Sequence, residues 1–450
     1  MAKKSVTQYV CQQCGVARGK WAGRCDSCGA WNSFVEQVAE AVGTTAVATS
    51  HGKVLKAERI DAVQPGDQAG RISSGLSDVD EVLGGGIVPA SVVLLAGQPG
   101  IGKSTLLMQL SYLAARNVPV LYVSGEESAG QVKVRAMRLG ANHENLHLVS
   151  STSADDIAAT VREGKYKLVI VDSIQTLTMA ALSSASGSVG QITNSSNLLT
   201  QAAKSSGSAL LLVGHVTKEG SIAGPKVLEH MVDVVLNLEG DRYGGFKVLR
   251  AVKNRYGSTN EAAIFEMKDA GLEPVANPSA ALLEERLSTD GSVVLATLEG
   301  NRPILVEIQA LVNRSNFGYP KRAASGFDQN RLNLLVAVLE KRTKLNLSES
   351  DIYINVVGGV RIQDPAADLA VCMAIASASK EMALDEGAVV FGEVGLSGEV
   401  RSANQMEKRL NEAKKLGFKY AIGPRSSKKM AFLRPVASMR DALNTYLKRS

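Results

Sequence analysis

The chain has 450 residues, 45% of them hydrophobic and 21% charged, with a formal net charge of +6; this exceeds what one hydrophobic core organises and predicts two or three domains. No run of eighteen apolar residues occurs, and the opening MAKKSVTQYV lacks the apolar stretch of a secretory signal, so neither a membrane span nor export is expected and a cytoplasmic protein is. The positive excess is uneven: from Val400 to Ser450 thirteen Lys or Arg stand against three acids, a pattern that fits either a polyanion surface or a solvated helix face.

In chain order, the first feature is Cys11, Cys14, Cys25 and Cys28, two C-x-x-C pairs each closed by a glycine, Gly15 or Gly29. Four thiolates at this spacing can converge on one Zn2+, and so short a segment would draw most of its folding free energy from the metal. Lys20, Trp21, Arg24 and Trp31 suit either stacking on nucleic acid or packing the ribbon against its neighbour. The remaining cysteine, Cys372, lies in the apolar run AVCMAIA and reads as a core residue.

Residues 39–70 are rich in Ala, Thr, Gly and Ser without periodicity and read as a linker. Leu76, Val79, Val82 and Leu83 then recur at helical spacing until Gly84, Gly85 and Gly86 interrupt them. Next comes SVVLLAGQPGIGKSTLL: a buried-strand pattern over residues 92–96, a glycine-rich turn, and Leu106, Leu107 and Leu110 at helical spacing. This predicts a phosphate-binding loop comprising Gly97, Gln98, Pro99, Gly100, Ile101, Gly102, Lys103, Ser104 and Thr105. Glycines let backbone N–H groups turn in around phosphate oxygens, and the following helix offers them its positive end. Lys103 is expected to reach the β- and γ-phosphates of ATP and the Ser104 hydroxyl to help hold Mg2+.

Strand and helix alternate onward, as a doubly wound α/β fold requires. PVLYVS reads as a strand with Gly125, Glu126 and Glu127 at its C-terminal edge, where open α/β sheets bind ligands. A carboxylate there can orient and deprotonate an attacking water, or merely favour a helix N-terminus. KLVIVD is a second apolar strand, and its terminal Asp172 is the expected partner of Mg2+ through water.

The S-G-L-x-x-x-D-x-x-L-G-G-G-I pattern ahead of the phosphate loop resembles the RecA/KaiC/DnaB superfamily of ATPases, whose cores work as rings or filaments. That resemblance implies Glu126 rather than Glu127 as general base. It also implies that the segments around residues 182–191 and 214–226 are axial loops carrying DNA, with Lys218 and Lys226 on the phosphate backbone. His215, straight after a strand, resembles a γ-phosphate sensor or is a structural histidine. Lys253, Asn254, Arg255, Tyr256 and Gly257 resemble the K-N-R-F-G motif of the bacterial RadA/Sms family of recombination ATPases, with Tyr256 in place of phenylalanine. The family reading gives Lys253 and Arg255 a catalytic part, reaching a neighbour's ATP across a subunit boundary, or a part in coupling ATP to DNA.

From residue 271 the texture changes to a helix, paired strands without a further phosphate loop, and a helix carrying Leu332, Leu335, Val338 and Leu339. This region is similar to the proteolytic domain of Lon. Matching that family's site puts Ala366 at the serine position and Arg409 at the lysine position, so no nucleophile is available and a guanidinium replaces the base. An inactive domain remains, offering Arg401, Arg409, Lys414, Lys415, Lys428 and Lys429 as a basic surface to duplex DNA.

The expected architecture is therefore α/β: a four-cysteine zinc ribbon over 1–38, a linker over 39–70, a RecA-like P-loop ATPase domain over 71–270, and a Lon-protease-like α+β domain over 271–450. The resemblance implies a DNA-dependent, Mg2+-dependent ATP hydrolase that repairs DNA as a hexameric ring on single-stranded and branched DNA, promoting branch migration of strands exchanged by a RecA-type recombinase. The alternative is an ATP-switched regulatory assembly protein of KaiC type without motor activity.

Overall fold

The computed structural model describes residues 7–11, 16–27, 29–38, 59, 61, 70–215, 227–240, 246–315 and 319–447. Cys14, Cys28, Lys218, Lys226 and nearly all of the expected linker lie outside the described residues, and so does the side chain of His215. The described chain forms two compact units, one of Met1–Leu238, Leu249–Thr259 and Lys268–Leu272, the other of Glu239–Val248, Asn260–Met267 and Glu273–Ser450.

The ribbon opens the chain as an antiparallel sheet in which β1 (Thr7–Cys11) lies between β2 (Ala17–Arg18) and β3 (Phe34–Val38). Its buried core is Cys11, Cys25 and Phe34, too little apolar surface to hold so short a segment without a cross-link or metal.

The helix expected before the phosphate loop is α1 (Ser77–Val82). There follow β4 (Val92–Gly97), α2 (Lys103–Ala115), β5 (Val120–Ser124), α3 (Ala129–Arg138), β6 (Leu146–Ser150), α4 (Ala154–Arg162), β7 (Leu168–Asp172), α5 (Val189–Ser206), β8 (Ala209–His215), α6 (Val227–Met231) and β9 (Val234–Gly240). Strands β4, β5 and β7 are aliphatic runs buried along their whole length, the signature of a parallel sheet covered on both faces. Each fully buried Val, Leu or Ile in them contributes about 1.5–3 kcal/mol of burial free energy. The parallel order runs β9-β4-β8-β7-β5-β6. In that register Gly97 is level with His215, and Ser124 with Asp172, so the strand C-termini carrying the expected nucleotide residues share one edge. Three further strands, β10 (Phe246–Asn254), β11 (Ala262–Lys268) and β12 (Gly271–Pro274), extend the sheet beyond β9.

The second unit takes in α7 (Pro278–Leu283) and the hairpin of β13 (Ser292–Glu299) and β14 (Arg302–Arg314), then β15 (Arg322–Ser325), α8 (Gln329–Thr343), β16 (Ser350–Val356), α9 (Asp368–Lys380), β17 (Ala388–Val390), the small pair β18 (Glu393–Val394) and β19 (Val400–Arg401), α10 (Met406–Lys415), β20 (Tyr420–Pro424), β21 (Leu433–Val436) and α11 (Met439–Tyr446). Its mixed seven-stranded sheet has the order β15-β16-β14-β13-β17-β20-β21. Helix α9 is buried from Asp368 to Ser377, because its AVCMAIA run is apolar on every side. Cys372 is a core residue there, its thiol pushed well above the usual range by burial.

One expectation fails in this unit. Arg409 is 1% exposed, so it is no part of a basic surface. Its guanidinium pairs with Asp364 at 2.6 Å and donates to the carbonyl of Ala296 at 2.7 Å, which answers the cost of burying the charge. Charge counting along the chain cannot see such a partner 45 residues away. Arg401 pairs with Glu399 and Lys428 with Glu407 on the surface, while the Lys414 ammonium lies 5.4 Å from the ring centroid of Phe432.

Candidate nucleotide site

The phosphate loop is shaped by its glycines. Gly100 and Gly102 have φ of 79° and 114°, conformations costly for any residue with a Cβ. At Gly97 a Cβ would stand 2.7 Å from the carbonyl oxygen of Leu238, so the loop can leave β4 here only without a side chain. Gly102 caps α2 in the left-handed conformation and no side chain caps the first turn. The N–H groups of Lys103, Ser104 and Thr105 therefore face the loop, as an anion site at a helix N-terminus requires.

Lys103 is 4% exposed, and its Nζ donates to the carbonyls of Gly97 at 2.8 Å and Gln98 at 3.0 Å. Burial lowers its pKa to about 8, against the opposing pull of Asp172 and Glu126. A buried ammonium answered by carbonyls and nearby carboxylates is poised for a polyanion, whose arrival would restore its ordinary basicity.

Asp172 ends β7, 9% exposed, and accepts a hydrogen bond from the Tyr122 hydroxyl at 2.7 Å. Burial and the neighbouring Asp172 push the Tyr122 phenol well above its usual range, so it stays a donor and leaves the other carboxylate oxygen for a metal shell. Ser173 donates to Glu126, while Glu127 is held in an ion pair by Arg135 of α3. That contrast separates the two acids: one carboxylate faces the phosphate lysine, the other is tied to its own helix. Sequence reasoning missed Tyr122, Ser173 and Arg135 as positioning residues. The only signal was a hydroxyl in an otherwise aliphatic strand, and the serine directly after Asp172.

The donors fit Mg2+: a carboxylate at a strand end, the Ser104 hydroxyl in the first helical turn, and a phosphate cradle beside them. Ser104 and Asp172 would hold Mg2+, which would supply positive charge to offset that of the phosphates. The chain's own residues do the rest. Lys103 and the loop N–H groups would hold phosphates, Tyr122 donates to Asp172, and Ser173 donates to Glu126, a carboxylate placed where one could take a proton from water.

The ribbon fits Zn2+ on what is described. Cys11 and Cys25 are buried, and the chain closes through hydrogen bonds from Cys11 N–H to the Val16 carbonyl and from Cys25 N–H to the Ala30 carbonyl, short turns of the kind that bring paired thiolates to one metal.

Lys253 and Arg255 are not brought to this edge. Asp233 N–H donates to the carbonyl of Val92, the first residue of β4, and Arg255 N–H donates to the carbonyl of Asp233. The motif thus sits at the start of β4, about 16 Å from Gly97 at roughly 3.3 Å per strand residue. Lys253 Nζ donates to the carbonyls of Glu229 at 2.6 Å and Val232 at 2.7 Å, and Arg255 pairs with Asp233 at 3.0 Å while remaining 57% exposed. Asn254 donates to the carbonyl of Val82, and Gly84 packs so closely on Gly257 that a Cβ at Gly84 would lie 2.9 Å from its Cα. The two family motifs, the triple glycine and K-N-R-Y-G, are one packed corner.

In the second unit Asp364 joins the two positions at which the Lon resemblance puts nucleophile and base. It accepts from the Ala366 N–H at 3.0 Å and pairs with Arg409. Ala366 offers no hydroxyl, and the guanidinium standing where the resemblance puts the lysine amine is already paired with Asp364.

A parallel sheet, a phosphate loop at its edge and carboxylates at neighbouring strand ends define a RecA-like P-loop ATPase, here with an N-terminal zinc ribbon and a Lon-like C-terminal domain. Residues 57–221 match the AAA domain family, residues 9–36 the rubredoxin metal binding domain, and residues 327–427 the ChlI subunit of Mg-chelatase. The chain is 49% identical to the DNA repair protein RadA of Halalkalibacterium halodurans, covering 94% of this chain and 93% of that one. It is 48% identical to that of Bacillus subtilis, over 94% and 93%, and 47% identical to that of Pseudomonas aeruginosa, again over 94% and 93%. The chain belongs to the RadA family of DNA repair proteins.

Proposed function

We propose that this chain is a DNA-stimulated, Mg2+-dependent ATP hydrolase that works as a ring-shaped homo-hexameric motor on single-stranded DNA and extends branched recombination intermediates made by a RecA-type recombinase. Lys103 and residues 97–105 bind ATP, Ser104 and Asp172 take Mg2+, Glu126 activates water, and Cys11, Cys14, Cys25 and Cys28 bind Zn2+. The relatives' name, DNA repair protein, supports DNA as the partner. Lys218 and Lys226, which lie outside the described residues, are proposed to follow the phosphate backbone as point charges.

The observation that carries the assembly is the separation of Arg255 from its own phosphate loop. A half-exposed guanidinium some 16 Å from the nucleotide edge of the same sheet has no route to its own γ-phosphate. Exposed on one side while Asp233 holds the other, it can meet that of a neighbouring copy, as an arginine finger in trans does.

Mixing two inactive variants tests this. Lys103→Ala keeps the finger and loses the phosphate lysine; Arg255→Ala does the reverse. Combined in equal amounts, they should recover ATP hydrolysis at about a quarter of the subunit boundaries of a random ring, with each variant alone inactive. No recovery on mixing, with both variants folded and assembled, would remove the trans role.

A further inference from the structure

Glu36, on the last ribbon strand, is 6% exposed, and its carboxylate accepts hydrogen bonds from the Ser183 hydroxyl at 3.0 Å and the Ser184 N–H at 3.1 Å. Its carbonyl accepts from the Asn194 amide at 3.2 Å. Gly190 lets α5 come close, since a Cβ there would stand 3.1 Å from the same carbonyl. The ribbon is therefore fixed against the segment leading into α5, and the seam leaves an open groove of about 340 Å³. Tyr9, Trp21, Phe34 and the hydrogen-bonded Glu36 lie along one wall; Ser183 and Val189 lie along the other.

We infer that this groove is a binding site for single-stranded DNA, in which Trp21 stacks on an unpaired base. The inference rests on the DNA-coupled reading above and deepens it by assigning a second stretch of the strand's path. Trp21 is 56% exposed and Trp31 73% exposed, unusual for the largest apolar side chain. Lys20 is exposed beside Trp21, and the Arg24 guanidinium lies 5.7 Å from the Trp31 ring centroid. Exposed indole faces next to cations and hydroxyls match a stacked base and its phosphate, and every base has a face to stack. A duplex hides those faces, so it has nothing for the indole to take.

The wall that faces Trp21 is tied to the nucleotide edge. The Ser186 hydroxyl donates to the carbonyls of Gln175 and Thr176, the Thr176 hydroxyl donates to the carbonyl of Ser173, and Ser173 holds Glu126. A strand seated in the groove thus lies against a segment linked through Gln175, Thr176 and Ser173 to the proposed general base.

The chain contains two tryptophans, both on this ribbon, so in the full-length Trp31→Phe variant all indole emission comes from Trp21. Titration with a twenty-nucleotide oligo(dT) should quench that emission saturably, and less at high salt. Trp21→Ala should weaken oligo(dT) binding, read by anisotropy of a labelled strand, by about tenfold. Trp21→Phe should restore most of the loss, with basal ATP hydrolysis unchanged in both. Tight oligo(dT) binding that neither moves Trp21 emission nor responds to Trp21→Ala overturns the groove and leaves the DNA-coupled reading standing. Equal quenching by blunt duplex overturns base stacking. No DNA binding or stimulation by any readout overturns both.

Discussion

Each unit buries one cation at the place where its family ancestry puts chemistry, and the two cations are treated oppositely. Lys103 is met by carbonyls and by carboxylates close enough to oppose its deprotonation, and burial still drags its pKa to about 8. Arg409 is met by a carboxylate at 2.6 Å and a carbonyl at 2.7 Å. The first is held by neutral carbonyls and loses hold of its proton beside a phosphate cradle; the second is matched directly to a carboxylate, as a structural ion pair must be. Position in a fold therefore does not decide function; what a buried charge is held by does.

The sharpest break of this comparison exchanges stability for activity. Lys103→Met should abolish ATP hydrolysis, by roughly a hundredfold or more, while changing the unfolding free energy by no more than about 1 kcal/mol. Arg409→Met should do the reverse. It leaves Asp364 without its cation and costs about 3–5 kcal/mol, read as a lower urea midpoint, with the hydrolysis rate of the folded protein kept. Equal stability losses in the two variants would contradict the contrast.

Next in size are the two adjacent acids. Glu126→Gln should lower turnover by about 10²–10⁴ with nucleotide affinity retained. Glu127→Gln, which only releases Arg135 on a partly exposed ion pair, should cost under about 1 kcal/mol of stability and leave turnover nearly unchanged. A reversed order would move the general base to Glu127.

The smallest expected effect is on pH. Lys103 is charged below about pH 8 and loses its proton above it in the free protein, and only the charged form attracts phosphates. ATP affinity should hold steady below pH 8 and fall toward about tenfold per pH unit above it, measured by equilibrium nucleotide binding. The same lowered pKa makes the nucleotide-free protein gain stability from about pH 8 upward, because the unfolded lysine keeps its proton longer. An affinity flat to pH 10 would show that Lys103 does not titrate there.

Much of this was legible in the sequence, and the reasons are local. The turn from Gly97 to Lys103 needs only glycines at set offsets, and Val92, Leu121 and Val169 announce buried strands by lying in aliphatic runs. Partners across the fold were not legible. The ion pair of Arg409 with Asp364, the hold of Arg135 on Glu127, and the clasp of Glu36 on Ser183 and Ser184 join residues that no periodicity relates. The K-N-R-Y-G segment shows both sides: its letters marked the family, while its placement at the start of β4 emerged only from the register of β9 beside β4.

The most direct test of the account is steady-state ATP hydrolysis with and without single-stranded DNA, at two salt concentrations, for the parent and for Lys103→Ala. The account predicts stimulation that weakens at high salt and vanishes in the variant. Hydrolysis indifferent to DNA, present in the parent and absent in Lys103→Ala, would contradict it and leave an ATP-switched assembly in place of a DNA motor.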